Sequence, residues 1–265
     1  MTDRANASFA DEFTEDGFLG GQLRLRQLKS GHRAGHDAVL LAASTPARSG
    51  DRVADFGAGV GAAGLSVARR VAGIKLLLVE IAPQLAELAR ANASANGIAA
   101  ETIVLDVTGG ADTFAAAGLA PDSIDVVLMN PPFNDPARHR ASPQEARELA
   151  HVATATTLEG WVGAARRTLK SGGALSLIWR ADGLAEVLTA LGRGFGSLAI
   201  LPVHGEAASP AIRVLVRATK GGKAALQIYP ALMLNDERAA PSKQIKDLLA
   251  GNGALPLAIR GTSRS

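Results

Sequence analysis

The feature that most narrows the fold is an apolar run that stops abruptly. Ile124-Asp125-Val126-Val127-Leu128-Met129 has the composition of a buried strand, and Asn130-Pro131-Pro132-Phe133 follows it with no spacer. Two consecutive prolines have fixed φ and no N–H, so neither a sheet nor a helix continues through them. Asn130 precedes a proline and is driven to extended backbone. The result is a stiff corner at the carboxyl end of a strand, carrying one side-chain amide, the Pro131 carbonyl and one aromatic ring. Ordinary strand-to-loop stops also use Asn-Pro. The corner gains meaning only from its surroundings.

Those surroundings are a series of short apolar runs alternating with helical stretches. Residues 52–56, 75–79, 102–105 and 174–179 read as strands beside 124–129. Helical patterns run over 62–71, from Pro83 to Asn96-Gly97, over 155–169, and from Asp182 to Leu191. Residues 199–201 and 212–217 look like a closing antiparallel pair. This alternation predicts an α/β fold, a Rossmann-like, doubly wound, mostly parallel sheet of seven strands with an antiparallel last strand. Ahead of it, residues 1–17 read as a polar lead-in, Leu23-Arg24-Leu25-Arg26-Gln27-Leu28 as a two-faced strand, and residues from His36 as a helix with Pro46 beyond its end. Beyond Lys220 a strand over 225–229 and a helix over 242–249 are expected. The chain divides accordingly into a lead-in and covering segment (1–50), a core (51–220) and a basic extension packed on that core (221–265).

Composition removes several classes of function. At 265 residues and 47% hydrophobic content the chain can bury a full core. It has no cysteine, which removes disulfides, thiol nucleophiles and thiolate metal sites and fits a cytoplasmic setting. No apolar run approaches a membrane helix, so no membrane partner is expected. His32, His36, His139, His151 and His204 lack ligand spacing, and no metal is expected. Charge is uneven: residues 1–160 hold 14 Lys/Arg and 19 Asp/Glu, a net of −5, whereas residues 161–265 hold 14 and 6, a net of +8. Such a split suits either a face for an anionic polymer or an unevenly charged solvated surface.

Asp55-Phe56-Gly57-Ala58-Gly59-Val60-Gly61 lies between a strand and a helix, where backbone must approach a ligand closely. Gly59-Val60-Gly61-Ala62-Ala63-Gly64 also fits the dinucleotide fingerprint, with Glu80 lying 19 residues past Gly61, so a hydride-transferring dehydrogenase competes at this point. A tight turn with no ligand is the third reading.

The order of features separates these readings. The glycine loop, then Glu80, then Asp106, then Asn130 to Phe133 all follow strand ends in sequence. This arrangement resembles the class I S-adenosylmethionine-dependent methyltransferases that carry an Asn-Pro-Pro-aromatic motif. Residues 29–41, Lys-Ser-Gly-His-Arg-Ala-Gly-His-Asp-Ala-Val-Leu-Leu, resemble the extra helix over the cofactor in bacterial tRNA (valine) adenine-N6 methyltransferases. The resemblance covers residues 17–180 and implies S-adenosylmethionine as cofactor and a structured RNA, a tRNA, as partner. It implies that Gly57, Gly59 and Gly61 pack on the methionine part of the cofactor and that Asp55 helps hold its ammonium. Glu80 would accept the ribose hydroxyls and Asp106 the adenine amino group, while Asp37 either lines the pocket or serves its own helix N-terminus. Asn130 and Pro131 would accept the N–H groups of the target nitrogen, Pro132 would stiffen the corner and Phe133 would stack on the base. Guanine-N2 methyltransferases of ribosomal RNA and glutamine-N5 methyltransferases of release factors share the motif and stand as alternatives. From another class, a non-catalytic nucleotide- or RNA-binding protein remains, although binding alone has no use for the corner. Oligomeric state is not legible.

Overall fold

A computed structural model of the chain describes residues 13–29, 33–132, 145–192, 194–206, 208–236 and 240–259. The calls on Phe133, His139 and the remainder of residues 133–144 lie outside them. The expected polar lead-in ends earlier than residue 17. Strand β1 (Phe13–Phe18) pairs antiparallel with β2 (Leu23–Leu28), in register from Phe13 opposite Leu28 to Phe18 opposite Leu23. Leu23 and Leu25 of β2 are buried while Arg24 and Arg26 point outward, the two-faced pattern expected.

Helix α1 (His36–Ser44) leads into β3 (Arg52–Phe56), α2 (Ala62–Arg70), β4 (Lys75–Glu80), α3 (Pro83–Ala95) and β5 (Ala100–Val104). Then follow α4 (Ala111–Ala116), β6 (Ile124–Met129), α5 (Glu145–Thr168), β7 (Leu169–Arg180), α6 (Leu184–Leu191), β8 (Phe195–His204) and β9 (Ala211–Lys220). The main sheet runs β5-β4-β3-β6-β7-β9-β8, with β9 antiparallel to both of its neighbours and the strands from β5 to β7 parallel. These are the seven strands read from the sequence. Two more, β10 (Gln227–Ile228) and β11 (Leu232–Met233), extend the β8 edge, so the sheet has nine strands among the described residues. Helix α7 (Lys243–Leu249) begins where Ser242 Oγ accepts the Ile245 N–H, as its capping sequence requires.

Consecutive residues of the central strands go to opposite faces. Val53, Leu76, Leu78, Val126 and Leu128 pack with α1, α2, α3, β2 and the C-terminal residues Ile245, Leu248 and Leu255. Ala54, Leu77, Val79, Val127 and Met129 pack with Phe114, Leu158, Trp161 and Val187 on the other side. A strand buried on both faces carries few polar residues, hence the predominantly apolar runs. Trp161 and Trp179 both lie in this second core.

Candidate active site

The register aligns the ends of three neighbouring strands. Phe56 of β3 stands opposite Val79 of β4 on one side and Met129 of β6 on the other. Gly57, Glu80 and Asn130 are each the next residue, at the carboxyl ends of neighbouring strands about 4.8 Å apart, with Glu80 still paired to Val104 of β5. The chain runs from β3 toward β4 and β5, and only later returns to β6 on the other flank. The gap between β3 and β6 is therefore the topological switch point, where doubly wound sheets bind ligands.

Backbone and acids together hold the glycine loop. The Gly57 and Ala58 N–H groups donate to the Val79 carbonyl at 2.8 and 2.9 Å, and the Gly61 N–H donates to the Ala58 carbonyl at 2.8 Å. Glu80, 6% exposed, spans the turn: Oε2 accepts the Gly59 N–H at 2.8 Å and Oε1 the Ala82 N–H at 2.9 Å. Each oxygen retains a second lone pair for another donor. Gly57 has φ +68, and a Cβ there would lie 2.4 Å from Trp161 Cη2, so the indole closes one side of the loop. Gly59, at φ +56, is the opposite case, since a Cβ on it would meet nothing within 4 Å. The loop is walled beneath and open above. That open cradle, with an acid of spare acceptor capacity beside it, fits the cofactor implied by the sequence.

Asp55 is 2% exposed, and its Oδ2 accepts the Gly64 N–H at 2.8 Å in the first turn of α2. Burial pushes its carboxyl up to about 7; the Gly64 N–H opposes that and nearby Glu80 adds to it. The folded chain thus keeps a proton that the unfolded chain releases near pH 3.8. Stability should therefore fall as pH rises from about 4 to 7, by at most about 1.4 kcal/mol per unit, and level off above. Urea unfolding at pH 5, 6, 7 and 8 checks this. Asp55→Asn should flatten the profile, and an unchanged slope would assign the dependence elsewhere.

The other candidates are placed as follows. Asp106 is exposed at the end of β5, and its Oδ1 accepts the Thr108 N–H and Oγ1–H at 2.8 and 2.7 Å. Asp37 accepts from Arg213 Nε at 3.1 Å. That partner belongs to β9, separated from β3 by β7 and β6. Pro131 is buried and Pro132 exposed, and the half-buried Asn130 side chain has no hydrogen-bond partner among the described residues. Ile81 was missed: directly after Glu80 it is 60% exposed, a large apolar side chain at the ligand edge of the sheet. Its signal in sequence was an apolar residue continuing past the strand-ending acid.

Among the described residues, several cations of the C-terminal third have partners within the fold. Lys170 pairs with Asp125 at 2.7 Å, Arg180 with Glu186 at 2.9 Å and Lys220 with Asp122 at 2.7 Å. Arg217, 7% exposed, donates to the carbonyls of Leu257 and Ile259. Among the described residues no group of three or more His, Asp or Glu side chains could hold a metal ion, and no helix is long and apolar enough to cross a membrane.

The sheet order, the glycine loop and the aligned strand ends are those of a class I methyltransferase. The model of one family, the methyltransferase small domain, matches residues 30–205, and the chain belongs to that family. It is similar to a release factor glutamine methyltransferase of Chlorobaculum tepidum, 28% identical over 169 residues, covering 61% of this chain and 56% of that one. The chain thus spans little more than half the length of that relative. A tRNA1(Val) (adenine(37)-N6)-methyltransferase of Dickeya chrysanthemi is 28% identical over 211 residues, covering 78% and 80% of the two chains. Among solved structures, a predicted O-methyltransferase from Agrobacterium tumefaciens superposes with a TM-score of 0.69 at 33% identity, covering 83% of this chain and 98% of that one.

Proposed function

We propose that this chain is an S-adenosylmethionine-dependent methyltransferase acting on an exocyclic amino nitrogen, N6 of an adenine in a tRNA. One observation carries the reading: Asn130 and Glu80 directly follow Met129 and Val79, the register partners of Phe56, on either side of Gly57. A carboxylate for ribose hydroxyls, an open glycine turn and a proline-stiffened amide then share one crevice. A dehydrogenase needs only the first two. The tRNA adenine-N6 activity in the name of the Dickeya relative supports the choice of substrate, and a tRNA substrate implies work in the cytoplasm.

When bound, S-adenosylmethionine supplies a methyl group activated by a positive sulfonium. The protein's part is to exclude water and align the reactants. The lone pair of an aromatic amine is delocalised into its ring, which makes it a poor nucleophile. Asn130 Oδ1 and the Pro131 carbonyl each accept one N–H, drawing the nitrogen toward sp3 geometry with its lone pair directed at the methyl. Phe133 stacks on the base, a contact worth roughly 1–3 kcal/mol in nucleic-acid complexes. Ile81 would cover an apolar face of the cofactor's adenosine, and Asp106 would accept from the cofactor's adenine amino group.

The test is transfer of labelled methyl to bulk tRNA from a deletion strain, followed by nucleoside identification. N6-methyladenosine is the expected product. N2-methylguanosine, a methylated glutamine in a release factor, or an oxygen-methylated product would each keep the fold and replace the substrate. Calorimetry should give binding of S-adenosylmethionine and none of NAD. Glu80→Gln should weaken the methyl donor about tenfold or more, because charge-assisted acceptors become neutral ones. Undiminished affinity in that variant would remove Glu80 from the ribose site.

A further inference from the structure

Asn92 of α3 is 1% exposed and uses both of its amide hydrogens. Nδ2 donates to the Arg26 carbonyl at 3.1 Å and to the Val60 carbonyl at 2.9 Å, while Oδ1 accepts the Arg26 N–H at 2.8 Å. One helical turn on, Asn96 Oδ1 accepts the Arg24 N–H at 2.9 Å and its Nδ2 donates to the Arg24 carbonyl at 2.8 Å. Four helical residues advance about 6.0 Å and two strand residues about 6.6–6.8 Å, so amides at this spacing address alternate residues of a strand. With one edge of β2 paired to β1, the other is thus completed by side chains in place of a strand. Asparagine is a poor helix former, and Asn92 inside α3 is explained by this ladder, which Asn96 continues from the helix C-cap.

The bond to Val60 departs from that pattern, because Val60 lies between Gly59 and Gly61 in the glycine loop. The Gly59 N–H in turn donates to Glu80. A continuous hydrogen-bonded path therefore leads from the backbone of β2 through Asn92 to the loop and its acid. The same hairpin holds the approach to α1, where Gln27, 4% exposed, accepts the Ala34 N–H at 2.7 Å and donates to Asp16 at 3.1 Å.

We infer that Asn92 is a positioning residue that couples the seating of the β1–β2 hairpin to the shape of the glycine loop, so that the cofactor site is set only when the hairpin is docked. The cofactor part of this inference rests on the methyltransferase reading above. Asn96 is the internal control, since it makes the ladder contact without a contact to the loop.

The experiment compares Asn92→Ala with Asn96→Ala by urea unfolding, calorimetry with S-adenosylmethionine, and hydrogen exchange of the Gly59 and Gly61 amides without ligand. Both variants should lose stability. Only Asn92→Ala should raise the dissociation constant, by about tenfold or more, and speed exchange of the loop amides by a similar factor. Equal behaviour of the two variants would reduce Asn92 to a docking contact and overturn the coupling. Coupling is reciprocal, so in the wild-type chain S-adenosylmethionine should slow exchange of the Arg26 amide about threefold more than that of Arg24. This measurement stands even if Asn92→Ala does not fold, and equal slowing counts against the inference. A wild-type chain with no affinity for S-adenosylmethionine would instead refute the cofactor reading, and loop exchange in the unliganded variants would then decide on Asn92 alone.

Discussion

Asn130→Ala is expected to reduce methyl transfer by roughly two to three orders of magnitude, or about 3–4 kcal/mol, with S-adenosylmethionine affinity nearly unchanged, as when one oxyanion-hole donor is lost. The reason is differential binding. An acceptor that matters chiefly as the amino nitrogen changes geometry contributes to the barrier more than to the ground state. Pro131 keeps its carbonyl in the variant, so one of two acceptors remains and some turnover should persist. Phe133→Ala should behave differently, raising the apparent substrate constant as well as slowing turnover, while Phe133→Tyr keeps the ring face and much of the activity. Single-turnover transfer to tRNA, paired with calorimetry, separates the two effects. Near-normal N6-methyladenosine formation by Asn130→Ala would sink the proposed chemistry.

The second large effect is structural. Gly57→Ala places a Cβ on a residue at φ +68 and 2.4 Å from Trp161 Cη2. Left-handed backbone at a residue other than glycine and overpacking each cost on the order of 1–3 kcal/mol, so a combined loss of about 3 kcal/mol or more is expected. Trp161→Leu removes the obstructing ring, and the double variant should recover the steric share while keeping the backbone share. Urea unfolding of the four chains yields the coupling between the sites. Strict additivity would mean that the indole does not wall the loop.

What could be read from the sequence follows from where the constraint lies. Strands β3, β4, β6 and β7 were legible because burial on both faces leaves room for few polar residues, Asp55 and Ser176 among them. The glycine loop and the Asn130 corner were legible because positive φ and consecutive prolines permit few residue types. Strand Phe13–Phe18 was hidden by its composition: Thr14, Glu15 and Asp16 read as a solvated lead-in until β2 is placed beside them. The start of β7 at Leu169 was equally hidden. Ser171-Gly172-Gly173 reads as a loop, and only the register shift opposite Ile124 to Val126 keeps it within a strand. Pairings distant in sequence left no local trace. The bonds of Asn92 to Arg26 and of Lys220 to Asp122 join residues 66 and 98 positions apart. Counting charges in the C-terminal third therefore could not show that Lys170, Arg213 and Lys220 pair with acids elsewhere in the chain.

The place of β9 between β7 and β8 has a consequence for synthesis. Translation delivers β8 before the strand that separates it from β7, so a chain halted near residue 205 has a long strand with one open edge, including Ile178 and Trp179. Apolar edges of this kind are templates for pairing between chains. The ribosome must add residues 211–220 before that edge closes, and about one to three seconds of elongation at ordinary rates separate the two states. Slow codons between His204 and Lys220 would lengthen the exposed interval, and a chaperone that shields strand edges would matter most there.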